Sequence, residues 1–150
     1  MVFDRDARLK LLLVDDVEAR RTRYVEYFLF VGYRVIESRM GAEALIRGRA
    51  SEPDIIVVDV SEPETGVWET VRLLKEDMKT RAAFLVALGE PGFEKRAARV
   101  GVDMFCGNSL PPPELAERIV QACGPAFKEI RAQRRKRASD APASAGATGG

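Results

Sequence analysis

The sequence predicts an α/β fold, a doubly wound parallel sheet of five strands with helices on both faces. Short apolar runs alternate with amphipathic stretches through the first 123 of its 150 residues, which is typical of such a sheet. Gly32 and Gly101 lie where a helix would pass into a strand, and this is the usual position of a left-handed residue. Together these observations favour five successive βα units.

Each element is predicted from its own pattern. Strands are expected at residues 11–14, 34–36, 55–58, 84–88 and 104–106. Apolar residues at helical spacing predict the helices: Tyr24, Phe28 and Val31 in the first, Val67, Val71, Leu74 and Met78 in the third, Phe93, Ala97 and Val100 in the fourth, and Leu115, Ile119 and Ala122 in the fifth. The second helix, around residues 42–46, is expected to be short.

The chain is predicted to hold one domain, at residues 10–124, after a lead-in at 1–9. Gly124 and Pro125 should stop or kink the last helix, because proline lacks the amide proton and clashes with the preceding turn. Residues 125–137 form a predicted basic extension, and 138–150, rich in Ala, Ser and Gly, a predicted disordered tail. The basic charge lies between Lys128 and Arg137, whereas the chain before it is mildly acidic.

Composition excludes several classes of enzyme. The chain contains no histidine, so the Ser-His and Cys-His nucleophilic pairs are excluded, and no glycine-rich phosphate-binding motif is present. Cys106 and Cys123 lack metal-ligand spacing and are expected to be buried, reduced thiols, which favours the cytoplasm. No apolar run approaches the length of a membrane span.

Three acids directly follow two of the predicted strands. Asp15 and Asp16 follow LLLV, and Asp59 follows DIIVV. If those strands are neighbours, the carboxylates converge at the carboxyl edge of the sheet, where doubly wound folds bind ligands. Converging carboxylates favour a divalent cation such as Mg²⁺. The alternative is that each acid caps the turn after it, but the grouping of all three favours a metal site.

These motifs resemble those of the receiver domain of bacterial response regulators, over about residues 10–123. LLLVDD is similar to the first strand and acidic pair of that family, and DIIVVDVSEP, which ends at Pro63, to its phospho-acceptor strand. The stretch from Gly101 to Phe105 is similar to the entry into the fifth strand. The resemblance implies a flavodoxin-like sheet in the order 2-1-3-4-5 and a signalling domain that is not an enzyme.

The resemblance also assigns roles to the acids. Asp59 would accept a phosphoryl group from a sensor histidine kinase or a phosphotransfer protein. Weakly bound Mg²⁺ would be held directly by Asp16 and Asp59, through water by Asp15, and by the backbone carbonyl of Ser61. The metal would neutralise the carboxylates that the phosphate must approach.

The positions that detect the phosphate depart from the family pattern. The family has Ser or Thr where this chain has Gly89, and Lys where it has Asn108. Glycine offers no hydroxyl, and a neutral amide lacks the charge-assisted hydrogen bond of lysine. Phe105 takes the place of the aromatic residue of the family's switch, although plain core packing explains it equally well.

Two functions remain open at this point. The first is a stand-alone receiver that accepts phosphate on Asp59 and signals by binding a downstream protein. The second is a pseudo-receiver that binds its partner whether or not it is phosphorylated, which Gly89 and Asn108 favour. Nucleic acid or an anionic membrane is a further candidate partner for residues 128–137 only, where the alternative is a solvated tail.

Overall fold

Strands and helices alternate along the whole described chain. A computed structural model describes residues 8–62 and 66–140, with the backbone alone at residues 131, 134, 138 and 139. The strands are β1 Lys10–Val14, β2 Arg34–Ser38, β3 Ile55–Asp59, β4 Phe84–Gly89 and β5 Met104–Gly107. The helices are α1 Glu18–Phe30, α2 Ala42–Ser51, α3 Val67–Glu76, α4 Glu94–Arg99, which follows a 3₁₀ turn at Pro91–Phe93, and α5 Pro112–Asp140.

The five strands form one parallel sheet in the order β2-β1-β3-β4-β5. This confirms the predicted fold class and strand order. Gly32 and Gly101 both have positive φ, at 106° and 88°, as expected where a helix passes into a strand. The strands extend one or two residues beyond their predicted ends, and α2 is longer than expected.

The sheet separates two apolar cores, because successive strand residues face opposite sides. Leu11, Leu13 and Val57 face α1 and α5, where they pack with Phe28 and Ile119. The alternate residues face α2, α3 and α4, in a core that includes Leu12, Val58, Val71, Leu74 and Ala97. Both cysteines are buried and free, as predicted.

The last helix differs from expectation. It does not stop at Gly124 and Pro125 but is continuous over 29 residues to Asp140. Packing offsets the loss of the backbone hydrogen bond at Pro125, because Phe127 is buried in the α1 and α5 core and Ile130 packs against that core. Residues 138–140 of the predicted disordered tail are therefore helical.

Some predictions concern residues outside those that the structure describes. They are Pro63, the lead-in up to residue 7, and the tail from residue 141. The domain boundaries stay predictions. Among the described helices, none combines the length and the apolar character that crossing a membrane requires.

Candidate functional site

The strand register brings the predicted site residues to one edge of the sheet. Val14 pairs with Val58, so the residues after them, Asp15 and Asp59, lie side by side at the carboxyl ends of β1 and β3. Both continue the strand face that packs against α1 and α5. Their side chains are almost fully buried, with 2% and 1% of their surface exposed. The predicted convergence of these two carboxylates is present.

Each of the two buried carboxylates holds a local turn with one oxygen. Oδ1 of Asp15 accepts a hydrogen bond of 2.9 Å from the backbone N–H of Val17, and Oδ1 of Asp59 accepts one of 2.9 Å from that of Ser61. The predicted capping role and the predicted convergence therefore coexist. Oδ2 of each side chain is not used by these turns.

Asp16 is placed differently. It is exposed, and its Oδ1 accepts a hydrogen bond of 2.8 Å from the backbone N–H of Met40, in the loop after β2. The structure brings Asp15 and Asp59 together, whereas Asp16 contacts the loop after β2. Within residues 8–62 and 66–140, no three His, Cys, Asp or Glu side chains are grouped as a metal site.

A cation from the protein itself lies between the two buried carboxylates. Nε of Arg20 donates to Oδ2 of Asp15 at 2.7 Å, and its Nη2 donates to Oδ1 of the same group at 2.7 Å. Nε also lies 3.1 Å from Oδ2 of Asp59. Because the single Nε–H points at Asp15, this second contact is an ion pair, and Oδ2 of Asp59 has no hydrogen-bond partner among the described residues.

Glu62 holds the same guanidinium from its outer side. Its Oε2 accepts a hydrogen bond of 2.9 Å from Nη2 of Arg20, and its Oε1 lies 3.5 Å from Nη1. Glu62 follows β3 by three residues, and its side chain is 41% exposed. Arg20 is thus surrounded by three carboxylates, two of them buried.

The electrostatics follow from burial and from this pairing. Burial raises the pKa of the Asp59 carboxyl above its ordinary value, and the negative charge of Asp15 raises it further, while hydrogen bonds from Ser61 and the charge of Arg20 lower it. The pKa of Arg20 is raised, chiefly by its hydrogen bond to Asp15, so the guanidinium is a permanent charge. The donor set fits a cation, because two buried carboxylates face one centre and the single charge of Arg20 balances only one of their two negative charges.

The position of Gly89 is closed to a side chain. A Cβ atom built on Gly89 would lie 2.6 Å from Cγ2 of Val60 and 3.5 Å from the ring of Phe105. Val60 is fully buried beside Asp59, and valine cannot move a methyl group away as a long side chain could. Val60 therefore occupies the space that a hydroxyl side chain at position 89 would need. Phe105 is half-buried and packs with the α2, α3 and α4 core.

Asn108 reaches the site indirectly. Gly89 pairs with Gly107, which sets Asn108 at the carboxyl edge of β5. Its Nδ2 donates to Oγ of Ser61 at 3.1 Å and lies 3.4 Å from Oε1 of Glu90. The backbone N–H of Ser61 in turn donates to Oδ1 of Asp59, so Asn108 contacts the residue that holds Asp59 rather than Asp59 itself.

Sequence reasoning missed Arg20, Glu62 and Val60. Arg20 precedes Tyr24 and Phe28 by one and two helical turns, and those residues form the buried face of α1. Extending that apolar stripe back by one turn reaches Arg20, level with the carboxyl edge of the sheet. The spacing could therefore have placed Arg20 at the site, although an arginine at this position is also typical of a solvent-exposed helix end.

Comparison with known proteins finds relatives among response regulators. The polar-differentiation response regulator DivK from Brucella ovis is 28% identical over 119 residues, which cover 77% of this chain and 97% of DivK. A probable transcriptional regulator, ycf27, from Porphyra purpurea is 34% identical over 111 residues. The chain is a homologue of response-regulator receiver domains. No protein-family model matches it.

Solved receiver structures share the fold. The chemotaxis response regulator CheY4 of Vibrio cholerae superimposes with a TM-score of 0.69 at 22% identity, covering 77% of this chain and 98% of CheY4. The receiver domain of the sensor histidine kinase PA1611 from Pseudomonas aeruginosa, solved with magnesium in its active-site cleft, gives a TM-score of 0.69 at 20% identity, covering 78% and 98% of the two chains. This receiver homologue spans only 45% of the length of the Porphyra regulator. Its homologues are signalling modules of two-component systems.

Proposed function

We propose that the protein is an atypical response-regulator receiver of a two-component phosphorelay, that it accepts a phosphoryl group on Asp59, and that it signals by binding another protein in the cytoplasm. The observation that carries this proposal is the pair of buried carboxylates, Asp15 and Asp59, which share one cation at the carboxyl edge of the sheet. A carboxylate with a neutralised neighbour and one oxygen without a hydrogen bond is available as a nucleophile.

The chemistry proposed for Asp59 is a phosphoryl transfer. Its Oδ2 attacks the phosphorus of a phosphohistidine on the kinase or phosphotransfer protein, the P–N bond breaks, and the imidazole leaves with a proton from solvent. The product is an acyl phosphate on Asp59. This chain has no histidine, so the phosphoryl group comes from another protein or a small phosphodonor.

Magnesium is part of this proposal. Asp16, Asp59 and the Ser61 carbonyl would hold it, with Asp15 through water, and when bound it would neutralise charge between the carboxylate and the incoming phosphate. The magnesium in the PA1611 receiver supports the assignment by analogy. The buried oxygen of Asp59 that accepts no hydrogen bond supports it within this chain.

Intact-mass spectrometry after incubation with acetyl phosphate and MgCl₂ tests the proposal. We expect the mass to increase by one phosphoryl group, and D59N to remove the adduct because an amide is not a nucleophile toward phosphorus. D54N is the matched control, since Asp54 directly precedes β3, at its opposite end, and binds the backbone of Lys10. An unmodified wild type, or an adduct that survives in D59N, would contradict phosphorylation of Asp59.

A second function is favoured by a separate observation. Val60 fills the space where a hydroxyl side chain at position 89 would lie, so the protein lacks one contact through which phosphate shifts its shape. This supports a module that binds its partner without phosphorylation. If D59N supports normal signalling in the cell while D59N protein is shown to carry no phosphate, the second function replaces the first.

A further inference from the structure

The cation between Asp15 and Asp59 is tethered to the fold. We propose that Arg20 is a built-in counter-ion that competes with Mg²⁺, so that a divalent ion binds the two carboxylates only when the guanidinium leaves them. This inference deepens the proposed metal site and rests on it. It makes Arg20 a positioning residue that sets how much Mg²⁺ the receiver needs.

The first support is the number of contacts that hold Arg20 in place. Its planar guanidinium donates to both oxygens of Asp15, pairs with Asp59 and is held on its outer side by Glu62. Its side chain is only 23% exposed. A guanidinium is pre-organised for such forked contacts, and here it supplies positive charge to both buried carboxylates from the protein itself.

The second support is that both cations need Oδ2 of Asp59 and the space between it and Asp15. Mg²⁺ coordinates oxygen at about 2.0–2.1 Å, whereas Nε of Arg20 already lies 2.7 Å from Oδ2 of Asp15 and 3.1 Å from Oδ2 of Asp59. A divalent ion on Oδ2 of Asp59, with a water molecule between it and Asp15, would need the space between the two carboxylates that Nε of Arg20 occupies. Two cations also repel strongly in a buried site. The two occupants are therefore mutually exclusive.

The third support is the position of Arg20 in its helix. It lies one turn before Tyr24 on the buried face of α1, and the hydroxyl of Tyr24 is fixed by the Leu110 carbonyl at 2.7 Å. The backbone that carries Arg20 is thus anchored, and the long side chain alone has to move. Displacement requires a change of rotamer rather than movement of the helix.

Calorimetric titration with MgCl₂ at constant ionic strength tests the inference. We expect R20M to bind Mg²⁺ at least about tenfold more tightly than the wild type, because the competing cation is gone. R23M is the matched control, since Arg23 is exposed on the same helix and its loss changes the net charge equally. R23M should bind Mg²⁺ as the wild type does.

A second readout needs no substitution. In ¹⁵N-labelled wild-type protein, the Nε–H resonance of Arg20 should be protected from solvent exchange without metal and lose that protection as MgCl₂ saturates the site. If R20M does not fold, this measurement on the wild type alone tests whether Mg²⁺ displaces Arg20. Equal Mg²⁺ affinity of the wild type and R20M, no Mg²⁺ binding by either, or an Nε–H resonance unchanged at saturation would each overturn the inference.

Failure of the inference is distinguishable from failure of the proposed function. A wild type that gives no acetyl phosphate adduct, combined with tighter Mg²⁺ binding by R20M, would refute phosphorylation of Asp59 and support the role of Arg20. A normal adduct combined with equal Mg²⁺ affinities would support phosphorylation and refute competition by Arg20.

Discussion

At the scale of single residues, Val60 and Gly89 pack against each other beside Asp59. Val60 is fully buried, and a Cβ atom at position 89 would lie 2.6 Å from its methyl group. Packed interiors tolerate little added volume. The loss of the hydroxyl at position 89 is therefore coupled to the size of residue 60, and one substitution alone cannot restore it.

This coupling predicts the effect of restoring a hydroxyl. G89S should destabilise the protein by about 1–3 kcal/mol through overpacking, and V60A/G89S should recover much of that loss because the methyl groups that clash are gone. Urea unfolding of the single and double variants measures both effects.

G107S is the control for that experiment. Gly107 pairs with Gly89 on the neighbouring strand, but a Cβ atom there meets nothing within 4 Å. G107S should change the free energy of unfolding by no more than about 0.5 kcal/mol. A G89S protein as stable as the wild type, or a double variant less stable than G89S, would contradict the coupling.

The acids of the site could be predicted from the sequence, whereas their counter-ion, Arg20, was not predicted. Asp15 and Asp59 follow uninterrupted apolar runs, so the rule that parallel strands end at one edge places them together. Asp16 and Arg20 show the limit of that rule. Whether an exposed carboxylate turns to the loop at Met40, and whether a long arginine turns inward, depends on rotamers and neighbours that spacing does not determine.

At the scale of elements, α5 shows packing overriding a local signal. Gly124 and Pro125 lower helix propensity, yet the helix continues and buries Phe127 in the core beside α1. Propensity is a local preference of a few kcal/mol at most, and burial of an aromatic ring offsets it. The apolar core therefore includes a residue beyond Pro125.

This extension predicts the cost of removing Phe127. F127A should lower the free energy of unfolding by about 3 kcal/mol, because the side chain is buried in the core against α1. K128A, one residue on and exposed, should change it by no more than about 0.5 kcal/mol. Chemical denaturation measures both, and an F127A protein as stable as K128A would show that the helix beyond Pro125 does not pack on the domain.

Helix and strand ends were the least predictable features of the elements. β3 includes Asp59 and β4 includes Gly89, because backbone pairing with the neighbouring strand continues past the last apolar residue. Val31 was expected on the apolar face of α1 but is exposed, since the helix ends at Phe30. Met78 was expected on the apolar face of α3 and is also exposed, since that helix ends at Glu76. Apolar spacing marks which face is buried and not where the hydrogen bonds stop.

At the scale of the whole molecule, the sheet order creates the site. β1 and β3 are neighbours at the centre of the sheet, and β4 and β5 add Gly89 and Asn108 to the same edge. The alternation of strands and helices was sufficient to predict the fold class, and the receiver resemblance supplied the strand order. The charges at that edge form one unit in which Arg20 pairs with two buried carboxylates.

A double-mutant cycle between Arg20 and Asp59 tests this unit most directly. R20M, D59N and R20M/D59N would be unfolded in urea at neutral pH. We expect R20M to lower the free energy of unfolding by at least about 1 kcal/mol more when residue 59 is Asp than when it is Asn. In the first case two buried carboxylates face each other without a cation between them. Costs that add to within about 0.3 kcal/mol would contradict the shared cation centre.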